Sequence, residues 1–201
     1  MSESFKIEVL DGVYPPAADT YLLLDAIVIE PADVILDVGC GVGLATLVAA
    51  SKAQRVISLD ISHLAVRNTI QNLRRNDLGF NVSVVQSDLF SGLSNSTKFS
   101  MIMFNPPYLP ADKMTTEMDH ALIGGEDGSE ITERFVREAS AFLERDGRLY
   151  VVVSTLENVD AITKVFHDNG FQVERVNETS LFFEKIQVLK GIFKGHKETV
   201  L

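Results

Sequence analysis

Residues 34–60 read VILDVGCGVGLATLVAASKAQRVISLD. Val34–Val38 is short and apolar enough to be a buried strand. Glycines at 39, 41 and 43 then let the backbone turn sharply and approach a ligand closely. Leu44–Ser51 reads as a helix of small residues and Arg55–Leu59 as the next strand. A strand, a crossover helix and a strand of this size make a parallel pair.

The same alternation runs outward from this unit. Residues 1–18 read as a short strand and an irregular lead-in. Asp19–Ile29 reads as a helix, with Asp19 as N-cap and Leu22, Leu23, Leu24, Ala26 and Ile27 on its apolar face. Ser62–Asn76 is an amphipathic helix capped by Ser62. Asn81–Gln86 and Phe99–Phe104 are strands, Ser129–Leu143 is a helix, and Arg148–Ser154 is an apolar strand. Leu156–Asn169 is a helix stopped by Gly170 at C′. Gln172–Asn177 and Leu181–Leu189 follow as two strands with no helix between them. The predicted fold is a seven-stranded, doubly wound, Rossmann-like α/β sandwich. It is parallel except for an antiparallel C-terminal hairpin at one edge, and residues 1–201 form one domain. Ligands of such sheets bind at the carboxyl ends of the strands, near the switch point.

Three acids stand at such ends. The glycine loop lacks the third glycine of a dinucleotide fingerprint, since Leu44 takes that place, and it lacks a P-loop lysine. Asp37 would repel a diphosphate but suits an amino or sulfonium cation. Asp60 ends the second strand, where a carboxylate can accept hydrogen bonds from both ribose hydroxyls. Asp88 follows the third strand and can reach the exocyclic amine of an adenine, with Leu89 against the ring. Asp60 alone would serve as a helix cap and Asp88 alone as a turn residue. Taken in order, the three describe a pocket for a cationic nucleoside, lined by Gly39, Gly41 and Gly43. Cys40 reads as a small loop residue offering a backbone N–H.

The fourth strand ends in Asn105-Pro106-Pro107-Tyr108. Two prolines stop the ladder and hold the residues before them extended. The Asn105 side-chain oxygen and the Pro106 carbonyl can each accept one hydrogen of a planar NH2 group. That fixes the nitrogen and aims its lone pair at an incoming methyl. Tyr108 can cover a flat substrate and stabilise nearby positive charge. The motif carries no general base, so catalysis would come from positioning and exclusion of water.

The bulk of the chain agrees with this chemistry. Its 201 residues are 46% apolar and 23% charged, the profile of a globular protein that needs no staples. The one cysteine allows no internal disulfide, Met1–Lys6 shows no signal-peptide pattern, and no apolar run spans a bilayer. The expectation is a cytoplasmic protein. A formal net charge of −10 repels polyphosphates on average. Lys185, Lys190, Lys194, His196 and Lys197 read as a solvated strand edge and tail. His63, His120, His167 and His196 lack metal-ligand spacing, so no metal is expected.

These motifs resemble the class I S-adenosylmethionine-dependent methyltransferases carrying the NPPY signature. Within them the chain is most similar to the HemK-type protein-glutamine methyltransferases, which modify the Gly-Gly-Gln glutamine of peptide chain release factors. The likeness spans nearly the whole chain and is to the short archaeal and eukaryotic form. Val13-Tyr14-Pro15-Pro16-Ala17-Ala18-Asp19-Thr20 is similar to the family's V-Y-E-P-A-E-D-T, with Pro15 and Ala18 replacing two acids. The resemblance implies that Tyr14 and Thr20 hold the cofactor's amino-acid end, so residues 1–30 contribute to the cofactor site. It also implies that Gly124-Gly125-Glu126-Asp127-Gly128 borders the substrate pocket. Short relatives need a small zinc-binding activator subunit, which implies such a partner at the edge strand Asn81–Gln86. NPPY is shared with adenine and guanine amino-methyltransferases. Release-factor glutamine and a nucleobase amine in RNA or DNA therefore both stand as substrates, with the acidic charge favouring the first.

Overall fold

The computed structural model of the chain describes residues 5–108, 129–181 and 184–196. Its elements in chain order are α1 (Ala18–Ala26), β1 (Val34–Val38), α2 (Leu44–Ala50), β2 (Arg55–Asp60), α3 (His63–Arg75), β3 (Val82–Gln86), β4 (Phe99–Phe104), α4 (Glu130–Ala139), β5 (Leu143–Ser154), α5 (Val159–Asp168), β6 (Phe171–Ser180) and β7 (Lys185–Phe193). The sheet order is β3-β2-β1-β4-β5-β7-β6. The first five strands are parallel, and β7 runs antiparallel to both β5 and β6. Strand order reverses between β1 and β4, which opens a crevice at their carboxyl ends.

The sheet is buried on both faces. Ile35 packs on one side with Leu22, Leu23, Leu47, Met101 and Tyr150. Its neighbour Leu36 packs on the other with Phe104, Phe135, Leu149 and Phe166. Period-two alternation thus sends successive residues of an all-apolar run into two separate cores. Burying each such side chain stabilises the fold by about 1.5–3 kcal/mol. No helix among the described residues is long and apolar enough to cross a membrane.

Several boundaries differ from expectation, each for a local reason. Asp19 is not the N-cap of α1. The cap is Ala17, and Asp19 lies inside the first turn with its carboxylate turned to other work. The helix stops at Ala26 because Ile27 is already extended, ahead of β-branched Val28 and Ile29 and of Pro31. Residues 129–143 and 156–169 give shorter helices, α4 and α5. β5 starts at Leu143 and passes through an irregularity at Glu144–Gly147, where Asp146 has φ +64°. β6 and β7 pair through Ser180 and Lys185, beyond the reach of the apolar pattern. An edge strand can keep its ladder while all its side chains are polar.

From Phe5 onward, the described part of the lead-in joins no sheet. It is held instead by asparagines at one-turn spacing on α3. Asn68 and Asn72 both donate to the Glu8 carbonyl at 2.8 Å, and they accept from the N–H groups of Leu10 and Glu8 at 2.9 Å. Asn76 repeats the pattern on Lys6. Asn72 also donates to Val42 of the glycine loop at 2.8 Å. Replacing fully buried Asn72 with Ala strands two backbone groups, the Glu8 N–H and the Val42 carbonyl, each costing about 1–3 kcal/mol, while Asn68 still meets the Glu8 carbonyl. Asn72→Ala is therefore expected to lose at least about 2 kcal/mol in urea denaturation, and Asn76→Ala, at the exposed end of the ladder, less than about 1.

Candidate active site

A cavity of about 300 Å³ lies at the carboxyl ends of β1 to β4, a volume within the range of small-molecule sites. Its walls include Tyr14, Thr20, Asp37, Gly39, Gly41, Asp60, Asp88, Leu89, Asn105, Pro106 and Pro107. Two of the residues expected there are elsewhere. Gly43 caps α2 with φ +86° and packs on α3, where an added Cβ would sit 2.9 Å from the Thr69 side chain. It serves helix packing rather than ligand approach. Tyr108 is buried behind the wall and does not cover the cavity. The Gly124–Gly128 element and His120 lie outside the described residues.

Gly39 takes φ +67°, and a Cβ there would fall 2.9 Å from the Phe104 ring. Only glycine lets the chain turn off β1 against β4 at this point. The Cys40 N–H does not face the cavity, because it donates to the Leu59 carbonyl at 3.0 Å. Burial pushes the Cys40 thiol up, so it stays neutral. The Gly41 N–H donates to Asp60 Oδ2 at 3.0 Å, and the Ser62 N–H to Oδ1 at 2.8 Å. The second acid therefore braces the loop that leaves the first strand. Each oxygen keeps acceptor capacity for a ligand.

Asp37 is almost wholly buried, and Thr46 of α2 donates to it at 2.6 Å. Burial pushes its carboxyl up to about 7, with the Asp60 charge adding to the rise and the Thr46 hydrogen bond opposing it. Burial likewise raises Asp60, against hydrogen bonds from the Gly41 and Ser62 amides. Two carboxylates so placed favour a cation between them.

Ser87 folds the chain after β3. Its hydroxyl donates to the Leu89 carbonyl and accepts from Gly92 N–H, both at 2.8 Å. This holds Leu89 at φ +42°, an uncommon backbone state for a branched residue. The turn presents Leu89 and Asp88 to the cavity. Asp88 is already engaged by Arg134 of α4, a contact the sequence did not foretell.

At the end of β4, the Asn105 side-chain oxygen is buried and has no hydrogen-bond partner among the described residues. Behind it, Asp19 accepts from Tyr14 at 3.3 Å, from Tyr108 at 3.4 Å and from the Thr20 N–H at 2.6 Å. Burial, with the Asp19 charge beside them, pushes both phenols well above their usual range, so they remain donors. Asp19 thus ties the lead-in to the Asn105–Tyr108 turn.

The profile of the family described as Methyltransferase small domain matches residues 12–182. A Methanocaldococcus jannaschii chain with the provisional name protein N5-glutamine methyltransferase is 33% identical over 94% of this chain and 96% of its own length. Human methyltransferase HEMK2 is 30% identical over 89% of this chain and 88% of its own. Among solved structures, one from E. cuniculi is of an Mtq2–Trm112 complex responsible for methylation of the eRF1 translation termination factor. It superposes with a TM-score of 0.71 at 25% identity, covering 91% of this chain and 99% of that one. The profile covers most of the chain and the relatives match it over nearly their whole length: the chain belongs to the methyltransferase small domain family and is a methyltransferase.

Proposed function

We propose that the chain, acting as one methyltransferase domain over residues 1–201, transfers a methyl group from S-adenosylmethionine to the glutamine side-chain nitrogen of a release factor's Gly-Gly-Gln loop. The observation that carries the chemistry is the buried Asn105 oxygen at the cavity wall, without a partner among the described residues. A buried acceptor without a donor costs about 1–3 kcal/mol, which an incoming N–H recovers. The glutamine reading draws on the named activities of the Methanocaldococcus jannaschii and E. cuniculi relatives.

The residues present fit the cofactor. Asp37 and Asp60 supply anionic acceptors for an amino group and a ribose, Asp88 an acceptor for the base, and Tyr14 and Thr20 a polar wall at the amino-acid end. When bound, S-adenosylmethionine supplies an electrophilic methyl on a sulfonium. Asn105 Oδ1 accepts one amide hydrogen of the substrate and the Pro106 carbonyl the other, so the nitrogen lone pair is the group left to react. Pro107 limits the freedom of that carbonyl. The new C–N bond would form as the sulfonium's S–CH3 bond breaks, leaving S-adenosylhomocysteine, and the nitrogen would lose its proton after methyl transfer, so no side-chain base takes part in the attack. Tyr108 is a positioning residue: through Asp19 it sets the turn that carries Asn105.

A small activator subunit, zinc-binding as in the short relatives, is proposed to pair with β3. This strand is the sheet edge, with half-buried Val82, Val84 and Val85, and Phe80 beside it is 90% exposed. Such an edge invites strand addition. The E. cuniculi relative is itself a two-protein complex. A release-factor substrate is consistent with a cytoplasmic enzyme working beside the translation machinery.

Three outcomes follow. With labelled S-adenosylmethionine, label is expected on a release factor bearing Gly-Gly-Gln and absent when that glutamine is changed. Asn105→Ala should lower turnover at least about a hundredfold with cofactor affinity within about threefold, as for a lost positioning contact. Label on RNA with the factor untouched would move the substrate to the nucleobase class. The second outcome concerns pH. The unliganded Asp37 carboxyl is raised to about 7, and a bound cation favours its ionised form, so binding below that value must expel a proton. Affinity measured by calorimetry should fall as pH drops through about 7, by up to about tenfold per unit, and Asp37→Asn should bind weakly with a flat profile. The same raised carboxyl favours the free fold at low pH and loses that contribution as pH rises through about 7. The cofactor's thermal shift should therefore grow with pH. The third outcome is that Phe80→Glu keeps the melting temperature but lowers co-purification of a coexpressed activator at least about tenfold.

A further inference from the structure

Arg134 approaches Asp88 with a forked guanidinium. Nη1 lies 3.1 Å from both carboxylate oxygens, and Nη2 lies 3.1 Å from Oδ2. The fork is aimed from behind, because Nε donates to Glu138 one turn further along α4 at 2.8 Å. Both ends of the pair are about half exposed, so the ion pair adds little to stability. Its placement is more informative. Asp88 and Arg134 both line the cavity, with Ile131 one turn before Arg134 on the same wall. The Ser87-braced turn, with Leu89 in its left-handed state, fixes the other partner.

The acceptor sites of Asp88 can be counted. An ionised carboxylate offers about four. Arg134 occupies three, one on Oδ1 and two on Oδ2, which leaves Oδ1 the open oxygen. With Glu138 on Nε, the pairing occupies most of the guanidinium's five N–H donors, which would otherwise welcome a carbonyl oxygen. An ionised carboxylate is acceptor-only with or without a partner, so what Arg134 adds is orientation: the fork fixes which oxygen stays open.

We propose that Arg134 is a positioning residue that makes the site select a 6-amino purine over a 6-oxo purine, by saturating Asp88 Oδ2 and directing Oδ1 toward the base. The inference rests on the cofactor reading above. It assigns to α4 a role in choosing the nucleoside.

The test uses the full chain and two probes, S-adenosylhomocysteine and S-inosylhomocysteine, which differ at that purine position. The wild type is expected to bind the adenosyl compound at least about tenfold more tightly, the effect of one hydrogen bond to a charged group. Arg134→Ala should bring the two affinities within about threefold, by weakening the adenosyl compound while leaving the inosyl compound nearly unchanged. Arg134→Lys, which keeps the charge without the fork, should also lower the ratio. Asp88→Asn should abolish or reverse the preference, since it frees the guanidinium for an oxo group. Equal weakening of both probes by Arg134→Ala, or retention of the wild-type ratio, would overturn the inference and leave the cofactor reading standing. Failure of the wild type to bind either probe would overturn the cofactor reading, and this inference with it.

Discussion

One face of α3 holds in place both the lead-in and the glycine loop that line the cavity. Asn68 and Asn72 are fully buried polar side chains, and their amides satisfy the backbone of Glu8, Leu10 and Val42. Thr69 between them donates to the Gly41 carbonyl at 3.0 Å. Buried backbone groups outside regular structure need such partners, and α3 supplies them to two segments at once. The glycine loop can depart from β1 in a left-handed path only because its carbonyls are met. The lead-in can lie over the loop without joining a sheet for the same reason.

From that scaffold the electrostatics follow. Adjacent β1 and β2 bring Asp37 and Asp60 to neighbouring strand ends, and burial raises both carboxyls, so ionising them carries a cost that a cation relieves. Asp19 sits on the opposite side, accepting from Tyr14 and Tyr108. A bond between the lead-in and the Asn105–Tyr108 turn means that the wall expected at the cofactor's amino-acid end and the wall expected to hold the substrate amide share one carboxylate.

Much of the site could be read along the chain because its signals are local. An apolar run followed by spaced glycines marks a strand end wherever the sheet later places it. Asp37, Asp60, Asp88 and Asn105 were legible as strand-end residues on that ground. Gly43 shows where the reading stopped short. Its positive φ was foreseeable, but only the approach of Thr69 shows that it serves packing. Tyr108 was expected over the substrate because aromatic rings often lie there, yet its ring is claimed by the core beside Leu23 and Tyr150.

The sequence by itself determined the order of strands and helices, the positions of the turns and the kind of chemistry at each strand end. Periodicity, proline and glycine act over a few residues, and those properties need nothing else. Only the tertiary structure decided which polar groups meet. Asp19 and Tyr108 are 89 positions apart, Arg134 and Asp88 are 46 apart, and Asn72 reaches back 64 to Glu8. No local pattern encodes such pairs, because a polar side chain is equally at home in water until the fold removes the water and leaves one partner within reach.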